Sequence, residues 1–115
     1  MLYLINMSNI INIEPSIIYF THSKIRNRFS GCNKTIDDTY NEIILGNTLI
    51  NDIPKISVHS YNDKYISLNN RRLYLFKKLQ KEKIINTIDV IIKPLPSNSR
   101  IKTNLYSLDA KAILK

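Results

Sequence analysis

The chain has 115 residues, 43% of them apolar, a length that predicts one compact domain and a composition too apolar for a disordered tail. Its single cysteine excludes an internal disulfide, and the absence of a clustered Cys/His quartet excludes a structural zinc site. Seventeen Lys and Arg against nine Asp and Glu give a net charge of +8, which favours anions such as nucleic acid, nucleotide phosphates or acidic partners without choosing among them. Ile, Asn and Lys dominate the sequence. All three have A/T-rich codons, so a Lys-rich surface drawn from a skewed genome accounts for the charge equally well.

Residues 1–13 are apolar but lack a positive n-region, and Asn6, Ser8, Asn9 and Asn12 interrupt them. The run stops at Glu14-Pro15, short of the roughly 20 apolar residues a spanning helix needs. It reads as a strand or an ordered arm. Neither signal peptide nor transmembrane segment is expected, which by default predicts an intracellular protein, cytoplasmic or nuclear, with no membrane partner.

Ile17-Ile18-Tyr19-Phe20 is β-branched and aromatic and reads as a buried strand. It leads into a polar, basic loop with Thr21, His22, Arg26 and Arg28, and then into turn chemistry at residues 30–34. A helix follows, with Thr35 as N-cap and Asp38 at capping-box spacing. Asp37 and Asp38 suit the positive end of its dipole. Ile36, Tyr40, Ile43 and Ile44 are predicted on its buried face, and Gly46 ends it.

Beyond residues 47–54 the period becomes two. Ile56 and Val58 alternate with Ser57 and His59, Asn62-Asp63 turns, and Tyr65-Ile66-Ser67-Leu68 returns, a β-hairpin pattern in which His59 is expected to face solvent. A second helix starts near Asn69 or Asn70, with Leu73 or Leu75, Phe76 and Leu79 as its buried stripe and Lys77, Lys78 and Lys81 opposite. Residues 87–93 are the clearest strand by β-branched content, closed by Pro94 and Pro96. The last twenty residues are polar, then weakly helical. The expected organisation is an N-terminal arm or strand at 1–16, a domain at 17–95 and a tail at 96–115. Its fold class is α/β (α+β), a small mixed sheet with flanking helices.

The most informative stretch is the passage from strand to helix through Asn69-Asn70-Arg71-Arg72. The first turn of a helix has unpaired N–H groups and the positive end of the dipole, so two arginines there are locally unfavourable unless an anion joins them. Such an arrangement forms a phosphate pocket; the alternative is a solvated basic turn on an ordinary helix.

At this point the sequence resembles a known family. The span 17–94 is similar to the ParB/sulfiredoxin-like domain, whose mark is a strand followed by G-E-R-R-x-R-A opening a helix. Here that box reads Asn69-Asn70-Arg71-Arg72-Leu73-Tyr74-Leu75, preceded by the strand Tyr65-Ile66-Ser67-Leu68. Lys77-Lys78-Leu79 with Glu82-Lys83-Ile84, the helix at 36–45, the stretch from Ile53 to Val58 and the basic loop at 21–28 resemble the family's flanking elements. The resemblance implies that Arg71 and Arg72 hold the phosphates of a nucleotide, CTP as in ParB clamps or ATP as in sulfiredoxins. It also implies that Asn69 and Asn70 line the turn, and that Arg26 and Arg28 close over the same anion. Nuclease and kinase activities occur in some members. Asn69 stands where the family has Gly, and Asn70 stands where ParB has Glu and sulfiredoxins their nucleophilic Cys, so thiol chemistry at that turn is not expected.

Other candidates are weaker. Phe29-Ser30-Gly31-Cys32 mimics the sulfiredoxin thiol string in the wrong context, and a lone Cys is more often inert. His22 has the chemistry of a general base but no matching carboxylate in sequence, so a hydrated loop histidine is the plainer reading. Lys77, Lys78 and Lys81 are expected either to follow a nucleic-acid backbone or to form a solvated face. Binding of a nucleotide or nucleic-acid phosphate therefore ranks first. A non-catalytic interaction module with a protein partner ranks second, and a phosphoryl-transfer or nuclease enzyme using His22 ranks third, because few acids lie near the motif to hold Mg²⁺.

Overall fold

The computed structural model describes residues 9–21, 24–26, 34–61, 63–94, 107–108 and 111–113. Its centre is a five-stranded mixed sheet of β1 (Ile10–Ile13), β2 (Ile18–Tyr19), β4 (Ser57–Tyr61), β5 (Lys64–Ser67) and β6 (Ile88–Lys93), in the order β1-β6-β4-β5-β2. The pairs β1–β6 and β4–β5 are antiparallel, whereas β4–β6 and β2–β5 are parallel. Two helices, α1 (Ile36–Ile44) and α2 (Asn70–Lys81), pack on each other and on this sheet, which makes the domain the small α+β unit expected. A separate parallel pair joins β3 (Lys24–Arg26) to β7 (Lys111–Ile113). A strand thus stands at 111–113, where weak helicity was expected. Among the described residues, no helix is long and apolar enough to cross a membrane.

Each helix forms for reasons visible in its own turns. At the start of α1 the Thr35 hydroxyl accepts from the Asp38 amide at 3.0 Å, and the Asp38 carboxylate accepts from the Thr35 amide at 3.0 Å, the capping box predicted by their spacing. Gly46, at φ +81°, ends it in a Schellman arrangement in which the Asn47 amide donates to Glu42 and that of Gly46 to Ile43. The buried face is Ile36 and Ile43 with Tyr40 alongside; Ile44, expected there, is 51% exposed because it lies about 100° further round the axis than Ile43.

Leu73, Leu75, Phe76 and Leu79 all turn inward from α2, merging the two alternative stripes into one wide apolar face. They meet Ile18, Phe20, Ile56, Val58, Ile88 and Val90 in the core. The hairpin turn places Tyr61 opposite Lys64, as Asn62-Asp63 predicted, with Asp63 at φ +62°. His59, however, is only 8% exposed, and its Nδ1 lies 2.9 Å from the Lys93 carbonyl. Alternation correctly sets it on the face opposite Val58. That face is itself covered there, since Ile66, the register partner of His59, is fully buried.

Candidate functional site

The strand-to-helix turn is built on buried Ser67. The Ser67 hydroxyl accepts from the Asn69 amide at 2.9 Å, a local turn bond of the kind serine makes two residues ahead. The Leu68 amide meanwhile donates to the Ser57 carbonyl, holding the turn to β4. Asn69 occupies the N-cap position of α2, but its side chain does not cap the helix. Asn69 Oδ1 instead accepts from the Ser57 amide at 2.8 Å, so the residue braces the hairpin.

Asn70 is turned the other way. Its Oδ1 accepts from the Thr21 amide at 3.2 Å and its Nδ2 donates to the Thr21 hydroxyl at 2.7 Å. This pair of bonds fixes the root of the basic loop against the opening of α2. The two asparagines thus join three separated parts of the chain at one point: β4, the second residue after β2, and α2. Sequence reasoning found Asn69 and Asn70 but missed Thr21, Ser57 and Ser67 as the frame around them.

The two arginines have different surroundings. Arg72 Nη1 donates to the carbonyls of Pro54 and Lys55 at 2.9 and 3.0 Å, tying α2 to the segment that leads into β4. Partial burial of the guanidinium lowers its pKa from the ordinary value, desolvation being the cause. Arg72 is therefore engaged as a brace, while Arg71 is half-buried beside it in the same first turn. That turn contains no acidic residue. Arg26 lies in β3, level with Ile113 and beside α2. The expectations for His22, Arg28 and Cys32 fall outside the described residues.

The lysine face is not an evenly solvated stripe. Lys77 reaches back to the Ser16 carbonyl at 3.4 Å, with its ammonium 5.3 Å from the Phe20 ring centre. Lys78 pairs with Asp37 at 3.1 Å and lies 4.3 Å over the Tyr40 ring. Lys81 is exposed. Two of the three lysines thus attach α2 to its neighbours, through cation–π and polar contacts worth a fraction of a kcal/mol to about 1 kcal/mol each at partly exposed sites. Among the described residues, no three His, Cys, Asp or Glu side chains come together as a metal centre.

No family model and no solved structure matches the chain. Among curated proteins it is similar to the DNA-directed RNA polymerase subunit beta'' of Trieres chinensis, at 35% identity over 77 residues. The match takes in 63% of this chain and 5% of that subunit, so the chain spans about a twentieth of the relative's length.

Proposed function

We propose that the domain binds a phosphate-bearing ligand, a nucleotide or a nucleic-acid backbone, at the opening of α2. In this reading Arg71 and the first-turn amides hold the phosphate, while Asn69, Asn70 and Arg72 hold the turn in place. The observation that carries it is the diverted cap. The N-cap asparagine spends its oxygen on Ser57, and the first turn contains two arginines and no acid. A helix that opens with added positive charge and no acceptor from its own cap has the electrostatics of an anion site. Support also comes from the bonds between Asn70 and Thr21, which hold the Thr21 backbone and hydroxyl at the same turn. The resemblance to ParB/sulfiredoxin-like domains assigns this turn the same role, with CTP or ATP and Mg²⁺ as the implied ligands. The relative, a DNA-directed RNA polymerase subunit by name, favours nucleic acid over a free nucleotide. Lys81 extends such a contact along α2; Lys77 and Lys78, held by Ser16 and Asp37, contribute less.

The test compares the native chain with Arg71→Ala, using single-stranded DNA and inorganic tripolyphosphate as probes. Ligand at ten times its Kd stabilises the folded state by about 1.4 kcal/mol, roughly 5 °C in Tm at this chain length. Arg71→Ala is expected to abolish that shift in a chain that stays folded, and to lower the slope of log K against log salt by about one. Binding by Arg71→Ala equal to that of the native chain, with the same salt slope, overturns the assignment.

A further inference from the structure

The two borders of the five-stranded sheet are not equivalent. β2 is two residues long, and Phe20 beyond it exchanges both backbone bonds with Ser107, its amide donating at 2.6 Å and its carbonyl accepting at 3.2 Å. That border is closed. β1 forms the other, and Ile10-Ile11-Asn12-Ile13 contains neither a charge nor a proline, the devices that commonly blunt an edge. Its pairing settles which backbone groups face outward. The Ile92 amide donates to the Asn9 carbonyl at 2.7 Å, so residues 9 and 92 are a hydrogen-bonded pair of the β1–β6 ladder. Such pairs alternate with non-hydrogen-bonded ones. Ile11 opposite Val90 is therefore of the first kind, while Ile10 opposite Ile91 and Asn12 opposite Asp89 are of the second. Two observations agree. The Ile91 amide turns to its other neighbour and donates to Ile56 at 3.0 Å. The Asn12 and Asp89 side chains meet at 2.9 Å, as the closer approach in a non-hydrogen-bonded pair allows. The N–H and C=O groups of Ile10 and Asn12 thus point away from β6, to a side where no strand lies among the described residues.

We propose that this edge is a homodimer interface, in which β1 pairs antiparallel with β1 of a second copy of the chain. The two outward-facing residues stand symmetrically about Ile11. A two-fold axis at Ile11 therefore sets Ile10 opposite Asn12 of the second copy, and Asn12 opposite its Ile10. Each pair exchanges two backbone bonds, four in all, and every outward group of the two residues is used. Ile11 meets Ile11 of the second copy as a non-hydrogen-bonded pair, the kind whose side chains approach more closely. Ile11 already packs, partly buried, against the core beside Val90, so this contact carries an apolar row across the axis. On the opposite face Ile10, 43% exposed, is covered between Ile91 and Asn12 of the second copy. A surface that complements itself about one point is what a two-fold dimer requires. An unrelated extended peptide would satisfy the backbone groups without matching these side-chain rows. Strand addition over four residues makes a small interface, so the Kd belongs in the weak range, roughly 10 µM to 1 mM.

The test follows the full chain by sedimentation equilibrium and amide hydrogen exchange in 1 M NaCl, where a screening length of about 3 Å suppresses repulsion between copies of net charge +8. Sedimentation is expected to pass from monomer to dimer as concentration rises through the Kd. Over the same range the amides of Ile10 and Asn12 should gain protection, while those of Ile11 and Ile13, turned toward β6, are protected throughout. Ile10→Pro removes an outward N–H and no bond to β6, a strand position that accepts proline. It deletes two of the four intermolecular bonds and should weaken the dimer by about tenfold or more with the circular dichroism unchanged. A chain that is monomeric throughout overturns the proposal, as does a folded Ile10→Pro that dimerises like the native chain. Full protection of Ile10 and Asn12 in the monomer overturns it too, since another part of the same chain then takes the edge. A dimer that leaves those two amides unprotected uses a different surface and is equally fatal. If Ile10→Pro does not fold, exchange in the native chain decides alone. None of these outcomes bears on tripolyphosphate binding at Arg71, so the two assignments fail independently.

Discussion

Arg72 separates a structural role from a ligand-binding one. Its Nη1 donates to two carbonyls, at 2.9 and 3.0 Å, on a segment that runs between a 3-10 turn and β4. A hydrogen bond from a charged donor contributes about 1.5–3 kcal/mol when well shielded. Arg72 is half-exposed, so water replaces part of each bond when the side chain is removed, and about 1 kcal/mol per bond is the appropriate scale. Arg72→Ala should therefore cost about 2 kcal/mol, a fall of roughly 8 °C in Tm for a chain of this size. Arg72→Met, which keeps the aliphatic stem and loses the donors, should cost nearly as much. Urea denaturation gives the free energy and calorimetry the Tm. A Tm within about 2 °C of the native value in both variants refutes the brace. If tripolyphosphate binding is lost without any loss of stability, Arg72 is a phosphate ligand instead.

Two further outcomes follow from local geometry. Lys83 ends α2 at φ +63°, its amide bonded to Gln80 and that of Ile84 to Leu79, so it occupies the left-handed position that glycine fills at Gly46. Lys83→Gly should raise stability in urea by about 0.5–1 kcal/mol, and an unchanged or lower midpoint contradicts this. Glu42 accepts from Lys34 at 2.9 Å and from the Thr48 hydroxyl at 3.0 Å; these two bonds, that to Lys34 first, hold its carboxyl below the ordinary 4.5. Because the folded pKa is the lower one, the contribution is complete above pH 4.5 and is lost as pH falls through the folded value. In an NMR titration the Glu42 midpoint should lie below 4.5 and rise in Lys34→Ala. A midpoint that stays put in that variant removes Lys34 as the cause.

What the sequence made legible was local. Thr35 and Asp38 are three residues apart, so their reciprocal bonds are specified by spacing alone. The same holds for the hairpin at Asn62-Asp63 and for the apolar stripe of α2. The partners of polar side chains were not legible, because they depend on which strands become neighbours. Asn70 meets Thr21 across 49 positions, and Asn69 is claimed by Ser57 on the facing strand. Arg71 and Arg72 are equivalent in sequence, and nothing in the sequence announces the approach of the Pro54 and Lys55 carbonyls to Arg72. His59 shows a different limit: alternation reports which face a residue takes, not whether that face is wet. The pairing of β3 with β7 joins three-residue strands near opposite ends of the chain, too short for any period to announce them.

Between Ile13 and Ile18 the chain passes from one border of the five-stranded sheet to the other. Four strand spacings on a flat sheet come to about 19 Å, and five residues fully stretched reach about 18 Å. This segment is not stretched: it contains a 3-10 turn with Pro15 buried, and it lies over α2, bonded to Gln80 through Glu14 and Ser16 and to Lys77 through Ser16. Only a strongly coiled sheet brings its borders within such a reach. The segment acts as a short girth fastened to α2, which limits how far one border can peel while the other stays paired. Lengthening it by a few residues would decouple those two events, turning a domain that opens as one piece into one that frays from either side.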